Sequence, residues 1–323
     1  MKKNTKYIIL IALCVILMFA FLFVWVLTTK VIHPTPNVFI RILTRRGTQL
    51  IAILVSSILI ATSSLIFQTI TNNRILTPSV LGFDSIYVIT QTLIVMFLGA
   101  TSVYLTNVYA NFSISLVAMV GITFLMYIVL LKKDKKNIIL LLLVGMIISS
   151  LAGSITNFIQ SYMNPDQFQN VSNLTTVSLN NINEQLIYLT TPIMIVLIVL
   201  MFKQNKYYDV MDLGEDTAIS LGVNYSSKVN LSLVYIAIAV AISTALIGTL
   251  TFLGLIAVNS AREIFKTNNH KTLMIASGLM SIIFVLFGQI VTELLQHKTS
   301  VSVLINLIGG SYMIYLILRE NKI

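Results

Sequence analysis

Long apolar runs alternate with short polar segments along almost the whole chain. An apolar run of about 20 residues is long enough to cross the hydrocarbon core of a bilayer as an α-helix. The runs are centred on residues 8–28, 48–68, 80–99, 108–131, 138–160, 186–202, 229–249, 251–265, 272–292 and 301–318. The eighth is short enough to be a half-helix packed inside the protein. The pattern predicts an all-α, polytopic membrane protein with about ten transmembrane helices.

The composition excludes an ordinary soluble globule. Of the 323 residues, 57% are hydrophobic and 10% are charged, which leaves too little polar surface to cover a soluble domain of this size. The charged start MKKNTK resembles a signal peptide, but the apolar run after it is too long and no small-residue cleavage site follows. We therefore expect a retained first helix and a single transmembrane domain over residues 1–323.

The distribution of Lys and Arg predicts the orientation. Ten spans place both termini on the same side of the membrane. With the N-terminus inside, sixteen of the 21 Lys and Arg residues fall in cytoplasmic segments, which agrees with the positive-inside tendency. This predicts that both termini are cytoplasmic, and it explains the net charge of +10 without a nucleic-acid partner.

Four cations lie together in the first outer loop, where the positive-inside tendency disfavours them. They are Lys30, Arg41, Arg45 and Arg46. One interpretation is that their side chains anchor a helix end at lipid phosphates. The other is a basic patch that docks an acidic partner on the outer face. Charge alone favours the anchoring role.

Several kinds of chemical site are missing from the sequence. It has no G-x-x-x-x-G-K-[ST] loop for ATP, no metal-ligand cluster, and no nucleophile and base at recognisable spacing. His270 and the other two His residues are interpreted as isolated loop residues, and the single Cys14 excludes an intrachain disulfide. Asp84 and Glu293 lie only near the ends of spans. These absences argue against an enzyme and weaken an ion-coupled transporter.

Two spans carry polar residues on one helical face. The fifth span contributes Thr156, Asn157 and Gln160, and the tenth contributes Ser302 and Asn306. Helix packing accounts for most stripes of this kind, because small and polar side chains allow close approach and hydrogen bonding between helices. The sharper hypothesis is a wet substrate pathway, since lipid would penalise these amides.

The polar segment of residues 203–228, here called the coupling segment, joins the sixth and seventh spans on the inside. It gathers four of the eleven acidic residues and predicts a short helix. Asp212 is the expected N-cap, with Glu215 at the third helical position of a capping box. Gly222, after Leu221, is the expected left-handed stop.

The expected helix of the coupling segment has an apolar face made of Leu213, Ala218 and Leu221. Helices that lie on the inner leaflet are rich in Lys and Arg, whereas this one is acidic and would be repelled by anionic lipid. A protein partner that covers the apolar face is therefore expected.

Three stretches resemble the permease subunits of iron–siderophore and vitamin B12 ABC importers, the FecCD-type family. LGEDTAISLGV at residues 213–223 is similar to the family's cytoplasmic coupling loop, LGEEVARSLGV. A second stretch, residues 63–82, reads SSLIFQTITNNRILTPSVLG and looks like the family's SGAxxQxxxxNPLAxPxxLG. A third stretch, residues 248–265, reads GTLTFLGLIAVNSAREIF and looks like the family's GxIxFVGLIVPHIAR. The order and spacing of these matches extend over most of the chain. The sequence departs from the family at Val258-Asn259, which replace Pro-His, and at 299–302, which replace Leu-Pro-x-Gly.

The resemblance implies a type II ABC importer permease fold in the bacterial cytoplasmic membrane. A separate cytoplasmic ATPase subunit would use ATP and Mg²⁺, whereas this chain would bind no cofactor or metal. An extracytoplasmic substrate-binding lipoprotein would deliver the substrate to a pathway between two permease subunits, with a heterodimer favoured over a homodimer. The residues of the motifs are most similar to those of permeases for ferric siderophores, with catecholate siderophores as one candidate type. A permease for vitamin B12 or heme and an ion-coupled secondary transporter are the alternatives.

The resemblance also assigns residues to the partners. Arg46 matches the first Arg of the family's outer R-x-P-R pair, which contacts the binding protein, while Gln49 stands at the second and Arg45 lies nearby. Contact with the ATPase is expected from Asp212, Leu213, Gly214, Glu215, Asp216, Ala218, Leu221 and Gly222.

Overall fold

The computed structural model describes residues 3–28, 36–99, 102–131, 138–177, 182–296 and 298–320. In these ranges the protein is helical and contains no strand. A short 3₁₀ helix, Pro78–Leu81, precedes α4. The α-helices are α1 (Lys3–Phe23), α2 (Trp25–Thr28), α3 (Pro36–Ile70), α4 (Phe83–Leu98), α5 (Val103–Thr106), α6 (Val108–Leu131), α7 (Ile138–Ser161), α8 (Pro165–Thr175), α9 (Glu184–Lys203), α10 (Asn205–Met211), α11 (Glu215–Ser220), α12 (Tyr225–Ile247), α13 (Leu253–Phe265), α14 (His270–Leu294) and α15 (Val301–Glu320).

Every predicted apolar run overlaps one of these helices. Among the described residues, eight helices are long and apolar enough to cross a membrane: α1, α3, α6, α7, α9, α12, α14 and α15. The third and eighth runs correspond to α4, with 16 residues, and to α13, with 13 residues. The short eighth element agrees with the expected half-helix. The count of ten crossings and the inside position of both termini stay predictions.

Three helices form the centre of the protein. In α3, α12 and α14, 67% of the most apolar stretch is buried, against 11–22% in α1, α6, α7 and α15. α3 packs against α12, α13 and α14. The contact with α13 is tight, because a Cβ at Gly254 would overlap the side chain of Ser64. The outer helices expose their remaining apolar faces to lipid.

α3 is longer than the sequence predicts. The second apolar run covers residues 48–68, whereas the helix begins at Pro36 and has 35 residues. Proline is favoured in the first turn of a helix, where its missing N–H has no partner to lose. At a rise of 1.5 Å per residue the helix is roughly 50 Å long, which exceeds the hydrocarbon core. Arg41, Arg45 and Arg46 therefore lie on a helix, and the predicted outer loop is wrong for them.

Polar side chains determine several helix starts between the spans. The Asn183 side chain accepts hydrogen bonds from two backbone N–H groups at the start of α9. Asn224 and Asn269 do the same, with one N–H each, for α12 and α14. Asn164 and Gln167 form a capping box at the start of α8, an element that the sequence analysis did not predict. These caps satisfy donors that would otherwise have no partner at the helix ends.

Candidate functional site

The coupling segment folds into two short helices, α10 and α11. Asp212 has helical dihedral angles and closes α10, so it is not the predicted N-cap of the next helix. Gly214, with φ +97°, is the N-cap of α11, and Glu215 is the first helical residue. The predicted capping box is wrong because α10 extends to Asp212, leaving only two residues for the turn. Glu215 and Asp216 still lie in the first turn, where the helix dipole favours acids.

The end of α11 agrees with the sequence prediction. Gly222 has φ +85°, and its N–H donates to the carbonyl of Ile219 at 2.9 Å. The N–H of Val223 donates to the carbonyl of Ala218 at 3.0 Å. This pair of bonds is the Schellman motif, and a left-handed residue at this position favours glycine.

The apolar face of the coupling segment differs from the prediction in one residue. Ala218 is fully buried and points into the protein. Leu213 is 61% exposed, Ile219 48% and Leu221 62%. Ile219, rather than Ala218, is therefore the exposed apolar residue of α11. We call Leu213, Ile219 and Leu221 the α11 patch.

α10 is bound to the transmembrane helices by buried polar contacts. Asp209 accepts hydrogen bonds from the backbone N–H and from Nδ1 of His270, at 2.6 and 2.9 Å. Nε2 of the same ring lies 2.7 Å from Oγ1 of Thr69 in α3. On the other side of α10, the Ser232 hydroxyl donates to Oη of Tyr208 at 3.2 Å, and burial raises the pKa of Tyr208 to about 12. The interpretation of His270 as an isolated loop residue is therefore wrong.

The inner end of α13 also faces the coupling segment. Arg262 interacts electrostatically with Asp212 and with Arg74. Asn259, which replaces the family's His, donates through Nδ2 to the carbonyls of Arg74 and Leu255 at 3.1 and 3.0 Å. The hydrogen bond to the carbonyl of Arg74 connects α13 to the segment between α3 and α4.

In the first part of α3, the Arg46 side chain binds a carboxylate of the same chain. Its guanidinium forms a bidentate ion pair with Glu293 of α14, at 2.7 and 3.0 Å, and donates to the carbonyl of Phe21 at 2.8 Å. It also lies over the Phe21 ring, 4.9 Å from the centroid, and Gln289 donates to Glu293. Glu293 is only 2% exposed. Arg46, which lies on α3, therefore contacts both α1 and α14. It is not the free docking side chain that the resemblance implies.

The remaining docking residues differ in exposure. Gln49 is buried, whereas Arg41 and Arg45 are exposed on the outer part of α3. Lys30 lies outside the described residues. Since a buried side chain cannot meet a partner without rearrangement, the assignment of Gln49 to docking is not supported by its position. Arg41 and Arg45 are the accessible cations.

Polar atoms at the predicted pathway lack full internal partners. Asn157 is exposed, and Gln160 donates to Thr92 of α4 at 3.3 Å. Thr156 has a buried hydroxyl without a hydrogen-bond partner among the described residues, and so has the Oδ1 atom of Asn306. The Ser302 hydroxyl lies 2.9 Å from that of Ser300. Unpaired polar atoms are expected where a second subunit or water completes the site.

The two halves of the predicted pathway do not meet within one chain. In the described part of the protein, α7 packs against α4, α6 and the 3₁₀ helix, whereas α15 packs against α13 and α14. The predicted pathway residues of α7 and of α15 therefore lie in separate packing groups of the described chain.

The two acids near span ends have structural partners. Glu293 pairs with Arg46, and Asp84 accepts a hydrogen bond from the hydroxyl of Thr251 at 2.6 Å. The described residues contain no group of three or more His, Cys, Asp or Glu side chains placed to hold a metal ion. Neither acid is positioned in a cluster for metal or ion binding.

The order of motifs, the long apolar helices and the coupling segment all match one family model. The model of the FecCD transport family matches residues 8–319. The chain belongs to the FecCD transport family. This permease is 42% identical over 281 residues to the petrobactin import system permease protein YclO of Bacillus subtilis, which covers 87% of this chain and 89% of the relative. It is 32% identical over 286 residues to the petrobactin import system permease protein FatC of Bacillus anthracis, and the match covers 88% of this chain and 81% of that relative.

The permease also shares its fold with a solved structure. A metal-chelate type ABC transporter in an inward-facing conformation superimposes with a TM-score of 0.81 at 19% identity, covering 98% of this chain and 99% of the other. The predicted resemblance and the type II ABC importer permease fold are confirmed. The chain is a multi-pass protein of the bacterial cell membrane and a transport subunit rather than an enzyme.

Proposed function

We propose that this permease moves a ferric siderophore of the petrobactin class across the cytoplasmic membrane as one subunit of an ABC importer. The observation that carries the proposal is the 42% identity to a petrobactin permease over 87% of the chain. The relative at 32% identity has the same named substrate. Both favour this siderophore class over vitamin B12 or heme.

ATP hydrolysis would take place on a separate cytoplasmic ATPase with Mg²⁺, and the coupling segment would bind that subunit. The α11 patch supports this assignment, because three large apolar side chains are exposed on or beside an acidic helix that the inner leaflet would repel. The exposed acids would lie at the rim of the contact. The backbone turn at Gly214 and the stop at Gly222 would hold the patch in shape.

A second permease subunit would complete the substrate pathway. The polar residues of α7 and α15 are separated within one chain, and Asn157 is exposed. In a dimer, α7 of one subunit and α15 of the other would line a common path. We favour a heterodimer with a related permease over a homodimer, as the family resemblance implies.

An extracytoplasmic binding protein, held as a lipoprotein, would capture the siderophore and dock on the outer end of α3. Arg41 and Arg45 are exposed there and would attract acidic residues of that protein. Arg46 would support the site from within by fixing α3 to α14. Recognition of the iron chelate would depend mainly on the binding protein, since the described residues offer no metal-ligand cluster.

Iron uptake by intact cells tests the proposed function. Cells that lack the gene are expected to lose uptake of radioactive iron supplied as ferric petrobactin and to regain it when the gene is restored. Iron supplied as citrate serves as the control substrate. Uptake that survives depletion of ATP but collapses with an ionophore would instead indicate an ion-coupled transporter.

A further inference from the structure

A continuous set of hydrogen bonds connects the coupling segment to two buried helices. Asp209 lies on α10, His270 is the first residue of α14, and Thr69 is next to the last residue of α3. One carboxylate oxygen of Asp209 receives both donors of His270, and Thr69 lies on the other side of the ring. His270 has no exposed surface, whereas the Asp209 side chain is 32% exposed.

The partners determine which ring nitrogen carries a proton. A carboxylate only accepts hydrogen bonds, so Nδ1 of His270 must be the donor to Asp209. Thr69 has one hydroxyl proton and two possible acceptors, Nε2 at 2.7 Å and the carbonyl of Leu65 at 3.0 Å. A neutral ring therefore takes the Thr69 proton, whereas a charged ring donates to Thr69. In both cases α10, α14 and α3 remain connected through the ring.

The neighbouring residue on α10 extends the connection to a third helix. Tyr208 is buried, its hydroxyl accepts a hydrogen bond from Ser232 of α12, and its ring centroid lies 5.9 Å from that of His270. Two successive residues of α10 thus contact α12 and α14, and the His270 ring extends the connection to α3. These are the three helices with the largest buried fraction among the candidate spans.

α3 and α14 are joined to each other at both ends. The Thr69–His270 contact joins the last turn of α3 to the first turn of α14. The ion pair of Arg46 with Glu293 joins the first part of α3 to the last turn of α14. A displacement applied at one end of the pair is therefore transmitted to the other.

We propose that Asp209 and His270 are positioning residues that attach the coupling segment to the α3–α14 pair, so that movement of the segment drives the transmembrane helices. The inference rests on the proposed function of the chain as the permease of an ATP-driven importer. Loss of the attachment leaves the α11 patch, and therefore the ATPase contact, in place. ATP hydrolysis then continues while transport fails.

The decisive quantity is the number of ferric petrobactin molecules transported per ATP hydrolysed by the complete importer in proteoliposomes. D209N keeps a carbonyl acceptor for both donors of His270 and is expected to stay within about twofold of the wild-type ratio. D209L has a similar volume without an acceptor and is expected to lower the ratio by at least about tenfold, since it removes both hydrogen bonds to His270. ATP hydrolysis by D209L is expected to change by less than about twofold, because no part of the α11 patch is altered.

A second pair of variants tests the other side of the ring. T69S keeps the hydroxyl and is expected to behave as the wild type, whereas the isosteric T69V is expected to lower the ratio about threefold to tenfold. Lys271→Ala changes an exposed neighbour of His270 and serves as the matched control. If D209L does not assemble with the ATPase, the Thr69 pair alone decides.

The proposal is overturned if an assembled D209L or T69V complex keeps the wild-type ratio, or if transport and hydrolysis fall in proportion. It is also overturned if D209N is as defective as D209L. Failure of the proposed function gives a different result, because the wild-type complex itself would then show no ATP-dependent uptake.

Discussion

Arg46 and Glu293 show how one contact can change the role assigned to a residue. The resemblance places Arg46 at the outer face as a docking cation, but its guanidinium is turned toward a carboxylate that is 2% exposed. A buried charge without its partner is strongly destabilising, because neither water nor an opposite charge compensates it. The pair therefore stabilises the junction of α1, α3 and α14.

Removal of one member of this pair is expected to destabilise the permease. R46M leaves Glu293 buried without a counter-charge and is expected to reduce the free energy of unfolding by about 3–5 kcal/mol. R46M/E293L replaces both charges by apolar groups and is expected to recover most of that loss. Thermal unfolding in detergent measures both effects.

Uptake by the same variants separates a stabilising role from docking. The double variant R46M/E293L is expected to retain uptake, whereas R41E/R45E, which reverses two exposed charges, is expected to weaken binding-protein association. A stable double variant that has lost association with the binding protein would show that Arg46 docks directly.

At the level of elements, α11 and its two flanking turns expose the large apolar side chains of the α11 patch. The Schellman turn at Gly222 and the left-handed Gly214 determine where the helix starts and stops. Only Ala218 is buried in this helix. The patch is thus exposed by the local fold, which agrees with a partner surface.

A charge in the α11 patch is expected to block association with the ATPase. L221R places a guanidinium in the centre of an apolar contact and is expected to reduce co-purification of the ATPase at least about tenfold. S220R adds the same charge to the exposed neighbouring residue outside the patch and serves as the matched control. Equal co-purification by both variants would contradict the assignment of this surface.

Local signals in the sequence predict some elements of this region and not others. The apolar runs predict the long helices because membrane-spanning length is a property of each run alone. The stop at Gly222 follows from its own backbone preference. The start of α11 was predicted wrongly because Asp212 suits either a cap or the last turn of α10, and the packing of α10 on α3 and α14 decides between them.

Contacts between distant residues could not be predicted from one sequence. His270 and Asp209 are 61 residues apart, and Arg46 and Glu293 are 247 residues apart. Their side chains meet only because α3, α10 and α14 pack together. No local pattern distinguishes such residues from a solvent-exposed His or a lipid-anchoring Arg.

For the whole molecule, α14 connects the two faces of the permease. His270 at its start contacts the coupling segment, and Glu293 near its end contacts Arg46. With 25 residues, α14 is roughly 37 Å long at 1.5 Å per residue, which is enough to span the bilayer. In the proposed importer, α14 would therefore connect the ATPase contact with the end of α3 that carries Arg41 and Arg45.

Cysteine labelling tests the predicted orientation. Cys14 is the only cysteine of the chain, so C14A provides a background without thiols. Asp166 in α8 and Asp216 in the coupling segment are both exposed. The predicted orientation places Asp166 outside the cell and Asp216 inside it. In intact cells, a membrane-impermeant maleimide is therefore expected to label D166C and not D216C. Labelling of D216C but not D166C would reverse the topology.

Transport by purified components tests the central claim most directly. Proteoliposomes that contain this permease, the second permease and the ATPase are given a binding protein loaded with ferric petrobactin on one side and Mg-ATP on the other. We predict uptake of the iron chelate that requires hydrolysable ATP, the binding protein and this permease. Uptake driven by an imposed ion gradient, with this chain alone and without ATP, would contradict the account.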